Sequence, residues 1–478
     1  MNNKQRFAAV LVCGSILGIG GGFLASQLAR PTKVRIVTES TSGSPSETVP
    51  TPSNPTTSPT PTAPADVASA GETFQTTVSV DGIGEILLQV GIPAAARHAE
   101  GAPVVVTVPT YFTPETSGFH PFAELTENGI ISVTLMYPGR GDGAGKKSAG
   151  ADDFGGANSL KALRDAILFA LGEKTNADGY RLDQLSAVAP QYGSVGLYAF
   201  SHPGVAATNV LATYASELSN VRFFVGFENP TQSLFFPLEL GHYETSGKKK
   251  IATNNAAYQY PEDYSPTKIA LDYSSVKFDV AMSRPYFDLN GNGSADSTGD
   301  YVFGEQIPNM FGKRTYSAEL LRALRDSGTL AAANWPSDLA TPEEAESAWS
   351  TRQSTDAYPR MASLSNLHVI LVFGASGHVQ SIPDNPNIHQ SYDGLRAAGI
   401  WTRLNPDASY VSSLSATVAA RFQEHAANTQ PSDWMTSGQW SFPMLTGSST
   451  FVPLAATLEL ADRAHANNWA TDLASVLN

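Results

Sequence analysis

The sequence predicts an α/β protein, a mostly parallel sheet flanked by helices. Three observations carry that prediction. Short continuous apolar runs recur along the chain, bounded by turn residues, as in strands buried on both faces. Segments with apolar residues at helical spacing lie between them. One apolar run breaks at a serine and passes straight into a helix.

The first strand covers residues 103–109 (Pro-Val-Val-Val-Thr-Val-Pro) and opens into a loop over 110–118. The second covers 129–137 and runs into the glycine-rich turn Pro138-Gly-Arg-Gly-Asp-Gly-Ala-Gly145. A helix follows over 158–172, with Leu160, Leu163, Ile167, Ala170 and Leu171 on one stripe and Gly172 as terminator. The run Val195 to Ala199 is a strand that ends at Ser201, and a helix is expected over 205–218. Residues 221–227, 368–373 and 400–404 read as further strands, and 452–477 as one or two amphipathic helices.

Between about 231 and 362 the chain holds more residues than the sheet needs. Two helices are expected there. One has Thr341 as N-cap, Pro342 in the first turn and Glu344 closing a capping box; the other covers 317–325. The same insertion carries Asp288-Leu-Asn-Gly-Asn-Gly-Ser-Ala-Asp296. Asp288, Asn290, Asn292 and Asp296 stand at positions 1, 3, 5 and 9 of a calcium loop, with Gly293 at position 6. Ser294 adds an oxygen, and the closing carboxylate, Asp300, comes one residue late. A structural calcium ion is one reading; an Asn/Gly-rich turn is the other.

The N-terminal part sets location. Lys4 and Arg6 precede an uncharged stretch over 7–28, 22 residues long. At about 1.5 Å per residue that spans a bilayer. Residues 1–30 are read as a membrane anchor, with a cleaved signal peptide as the alternative and a lipoprotein signal at Cys13 as a third. Residues 31–72 form a stalk: Ser40 to Pro64 holds 7 prolines and 13 serines or threonines in 25 residues, too little apolar surface to fold. Residues 73–478 are the folded domain, expected outside the cytoplasm. Its lack of cysteine excludes disulfides and thiol chemistry. A net charge of −14, without a basic stripe, argues against nucleic acid as a partner.

Four motifs then occur in order: Val-Pro-Thr-Tyr-Phe at 108–112, Tyr-Pro-Gly-Arg-Gly at 137–141, Asp153-Phe-Gly-Gly156, and Ala-Phe-Ser-His-Pro-Gly at 199–204. Together they resemble the α/β-hydrolase superfamily, in its esterase-like and peptidase-like branches, over roughly 75–230 and 365–410. The resemblance implies that Ser201 is a nucleophile on a strand-to-helix elbow. Pro203, standing where a second glycine is usual, departs from the pattern. It implies an oxyanion hole from the backbone of His202 and of Tyr111 or Phe112, and a cap at the insertion. No organic cofactor follows from it, and the partner it implies is a small-molecule or polymer ester; the N-terminal segment, read separately, makes the membrane the other partner.

The base and acid are harder to place. No histidine follows 400–404 at once, and no carboxylate stands at the tip after 368–373. One arrangement takes His378 as base and Glu228 as acid, on strand tips beside Ser201. His389, Asp384 and His425 are substitutes, and a broken triad is the remaining alternative. Two functions stand: a serine hydrolase, with esters favoured over peptides, or a surface binding or scaffold protein on the same sheet.

Overall fold

The computed structural model describes residues 34–36, 67–111, 118–231, 242–244, 249–251, 273–281, 284–288, 290–295, 301–302, 309–331, 334–373, 386–406 and 451–469. The expected anchor and most of the stalk lie outside these residues. Among the described residues no helix is long and apolar enough to cross a membrane.

One sheet organises the chain. Its strands are β1 (Val34–Ile36), β2 (Thr73–Val80), β3 (Gly84–Gly91), β4 (Ala102–Thr107), β5 (Ile131–Leu135), β6 (Pro190–Phe200), β7 (Phe223–Phe227), β8 (His368–Val372) and β9 (Trp401–Leu404). They lie in the order β1-β2-β3-β5-β4-β6-β7-β8-β9. Only β3 is reversed: it pairs antiparallel with both β2 and β5, and every other neighbour is parallel. All the expected strands are present. The β2–β3 hairpin was not among them, because polar residues interrupt its apolar runs. Phe74, Val78 and Val80 face the core opposite Ile86, Leu88 and Val90, and the turn between begins Asp81-Gly82.

Alternation along the parallel strands feeds two cores. Val104, Val106, Leu197, Ala199, Val369 and Leu371 join one apolar cluster, while Val105, Tyr198, Ile370 and Val372 join another on the opposite face. The helices are α1 (Ala157–Ala170), α2 (Pro203–Thr213), α3 (Ala318–Asp326), α4 (Pro342–Ser350), α5 (Pro386–Ala397) and α6 (Phe451–Ala466). The first cluster takes in residues of α1, α2 and α5; the second takes in α6. Helix α6 is further fastened by its buried Glu459, which receives guanidinium hydrogen bonds from Arg403 of β9 and, at 2.8 Å, from Arg463.

Every residue of α2 from Pro203 to Ala212 is buried, as its nearly unbroken apolar sequence requires. The outer side is covered by the insertion, whose Thr351 and Gln353 carbonyls accept hydrogen bonds from Asn209 at 3.0 and 3.1 Å. The insertion has a core of its own. Val276, Met310, Tyr316, Leu320, Leu321 and Trp349 cluster there under α3, α4 and a three-stranded antiparallel sheet of Val276–Asp279, Arg284–Phe287 and Tyr301–Val302. Helix α4 starts with the expected box: Glu344 N donates to Thr341 Oγ1 at 3.2 Å, and Thr341 N to Glu344 Oε2 at 2.9 Å.

Candidate active site

The parallel strands bring their carboxyl ends to one edge, where ligands bind in open α/β sheets. There Ser201 follows β6 directly and holds φ at 62°, in the left-handed region that a residue with a Cβ adopts at a cost of about 1–2 kcal/mol. Its amide donates to Phe227 O at 2.8 Å, and its carbonyl accepts from Gly204 N at 2.9 Å, which closes the turn into α2. Pro203 stands in the first turn of α2, where its missing N–H leaves no bond unmade. The departure from a second glycine is thus absorbed by the helix start.

Asn229 locks this turn from below. Its amide nitrogen donates to three carbonyls, Ala199 O at 3.1 Å, Ser201 O at 2.8 Å and Phe227 O at 3.0 Å. A Cβ on Gly204 would lie 2.0 Å from Asn229 Cγ, so glycine is needed there for close approach. The sequence marks Gly204 as a small residue flanking the turn, but no local pattern in it points to the asparagine that requires it.

Glu228 is at the neighbouring tip. It also holds a left-handed φ, 47°, and its amide donates to Val372 O of β8 at 2.8 Å. The acid is buried, with 1% of its surface exposed. Strand order β6-β7-β8 puts it between Ser201 and the β8 tip. His378, Phe112, Asp384 and His425 lie outside the described residues. His389 is on α5, and its side chain lies outside them too.

On the other side of the elbow, Tyr111 follows β4, and Val108 N holds that strand end to Tyr198 O at 2.9 Å. The Tyr111 ring meets the His202 ring edge-on at 6.0 Å between centroids. So the loop after β4 and the residue after Ser201 adjoin, as an oxyanion hole shared between them needs. The glycine motifs build the support under Tyr111. A Cβ on Gly155 would strike the Tyr111 ring at 2.7 Å. Arg140 donates to the Tyr111 carbonyl and pairs with Asp152 at 2.8 Å, both ions being buried. Asp153 caps α1, accepting from Gly156, Asn158 and Ser159 amides. No sequence pattern named the carbonyl that Arg140 holds.

The insertion reaches the same place. Trp349 of α4 meets the His202 ring at 5.7 Å, and its Nε1 donates to Tyr316 O at 2.9 Å. Arg352 fastens the insertion to the loop before α1, donating to the carbonyls of Asp153 and Phe154. Burial holds its guanidinium below its ordinary range, against the pull of Tyr111 and Asp153. Burial likewise pushes the Tyr111 and Tyr137 hydroxyls far above their usual range, so both stay neutral.

Of the expected calcium ligands, Asp288, Asn290, Asn292 and Ser294 are described; Asp296 and Asp300 lie outside. Among the described residues no three His, Cys, Asp or Glu side chains group to hold a metal.

No known family and no curated protein matches this sequence. Solved structures do align with it. The chain is similar to dipeptidyl peptidase 4 of Porphyromonas gingivalis at 9% identity, over 70% of this chain and 31% of that one, with a TM-score of 0.33. To the Pyrococcus horikoshii acylaminoacyl peptidase the identity is 10%, over 70% and 36%, at a TM-score of 0.35. To a fungal esterase from Rhizomucor miehei it is 11%, over 84% and 86%, at 0.36. The chain spans about a third of the length of the two peptidases. The fold, read from the sheet and its elbow, is that of the α/β-hydrolases.

Proposed function

We propose that the chain is a serine hydrolase outside the cytoplasm, held by its N-terminal segment or released by its cleavage, and that it acts on carboxylic esters rather than peptides. The observation that carries this reading is the left-handed Ser201 on a turn clamped by Asn229. Such strain persists only where surrounding structure enforces it, and a strand-to-helix turn that lifts a serine clear of the sheet serves nucleophilic attack. Esters of apolar acids are favoured because the ring of His202, the residue after the serine, packs edge-on against the rings of Tyr111 and the insertion's Trp349. In this reading the insertion acts as the cap.

The reaction follows from the arrangement. Ser201 Oγ attacks the ester carbonyl, and its proton passes to an imidazole, assigned to His378, whose cation Glu228 steadies. The N–H of His202 and the N–H following the Tyr111 carbonyl receive the oxyanion. The alcohol leaves with the proton, and water then repeats the sequence on the acyl-enzyme, returning the proton to Ser201 and freeing the acid.

Fluorophosphonate labelling of the purified chain tests this, since it needs an activated serine and no knowledge of the substrate. Labelling that disappears in Ser201→Ala, with the fold retained by circular dichroism, is the expected result. In His378→Ala, hydrolysis of a short p-nitrophenyl ester should fall nearly as far as in Ser201→Ala, and the double variant no further. An unlabelled parent chain would sink the enzyme and leave a binding protein on a hydrolase sheet.

A further inference from the structure

Asp288 closes the second strand of the insertion's small sheet, and its amide is held to Ser275 O at 2.9 Å. Its carboxylate is turned in over the loop that follows, where Gly293 N donates to Oδ2 at 3.1 Å. The other oxygen, Oδ1, is buried with no hydrogen-bond partner among the described residues. Leaving a charged oxygen buried and unbonded is unfavourable, because its lost hydration is not replaced.

Around it the loop offers oxygen and nothing softer. Asn290 Oδ1 accepts from Asn292 N at 3.0 Å, and Asn292 Oδ1 from Ser294 N at 2.8 Å. Hard oxygen donors at alternate positions, with glycines permitting the bend, select a hard cation over zinc or copper. One cation is already present: the Lys277 ammonium stands 2.6 Å from Asp288 Oδ2, reaching across from the neighbouring strand.

We propose that Asp288, Asn290, Asn292 and Ser294 form a calcium site, and that Lys277 competes with the ion for the Asp288 carboxylate. With one carboxylate among these four residues the site is weak, in the millimolar class of extracellular modules. Its role is to fasten the turn after Arg284–Phe287 to the strand Val276–Asp279. The proposal is independent of the hydrolase reading and is tested without activity.

The test is the melting temperature of the full chain against calcium chloride, from chelator to ten millimolar. Calcium raises it in the parent chain. In Lys277→Gln the same rise comes at a several-fold lower calcium concentration, an outcome that a plain Lys277–Asp288 ion pair would not give. Asp288→Asn loses the rise. Should that variant fail to fold, Asn292→Ala serves instead, since its side chain is exposed: measured against its own melting in chelator, its calcium response weakens. A flat response in both the parent and Lys277→Gln overturns the site, and an equal response to magnesium overturns its assignment to calcium.

Discussion

The side chain of Asn229 occupies the space that a Cβ on Gly204 would fill, 2.0 Å from its Cγ. The same amide ties together the carbonyls of Ala199, Ser201 and Phe227, so one residue joins the end of β6, the elbow and the end of β7. The strained Ser201 is held by this contact.

Gly204→Ala is therefore expected to destabilise the fold by about 1–3 kcal/mol through overpacking. Asn229→Ala leaves buried carbonyls with fewer donors and is expected to cost a similar ~1–3 kcal/mol. The double variant should cost less than the sum, because the space vacated by Asn229 receives the new methyl group. Urea unfolding of the four proteins gives the coupling. Additive costs would mean that the two residues do not press on each other.

Arg140 offers a test on the chemistry of the proposed hydrolase. It holds the Tyr111 carbonyl while Asp152 holds it in turn, and in any trans peptide the N–H points opposite to the carbonyl. Arg140→Lys keeps the charge and loses the two-headed grip. Loss of one oxyanion donor costs about 10²–10³ in kcat; a misaimed one is expected to cost about tenfold or more, with KM little changed. A variant whose KM rises while kcat holds would place Arg140 in substrate binding instead.

How much of this was legible in the sequence depends on the range of the interaction. Continuous apolar strands show themselves locally, and the parallel sheet from β4 to β9 was read from them. The β2–β3 hairpin has its apolar residues broken up by Gln75, Thr76, Thr77 and Gln89, and escaped a search for continuous runs. Ser201 was found because strand, serine and helix are adjacent in the chain. Asn229 was missed because what it clamps is 25 to 30 residues earlier, and the hydrogen bond joining Arg140 to Tyr111 spans 29 residues. Helix α2 was expected over 205–218 but runs from Pro203 to Thr213, since proline starts a helix as readily as it ends one.

The last expectation concerns acid. His368, at the start of β8, stacks on Trp469 at 3.4 Å between centroids, and its Nδ1 lies 2.8 Å from Asn366 O and 3.2 Å from Arg222 O. Burial pushes its pKa from the ordinary 6.5 to about 4, outweighing the two carbonyls, which pull upward. The folded state thus binds this proton less readily than the unfolded chain. The stabilisation is complete above the unfolded value of 6.5 and is lost as pH falls towards about 4, by up to tenfold in the folding equilibrium per pH unit. His98 and His120, also pushed down by burial, add to the same slope, so the difference between parent and variant is what is read. His368→Phe keeps a ring against Trp469 and cannot take up a proton. Its urea-unfolding free energy should fall less steeply than the parent's between these two pH values, by close to one proton. Equal slopes would show that His368 is solvated enough to titrate normally in the folded chain.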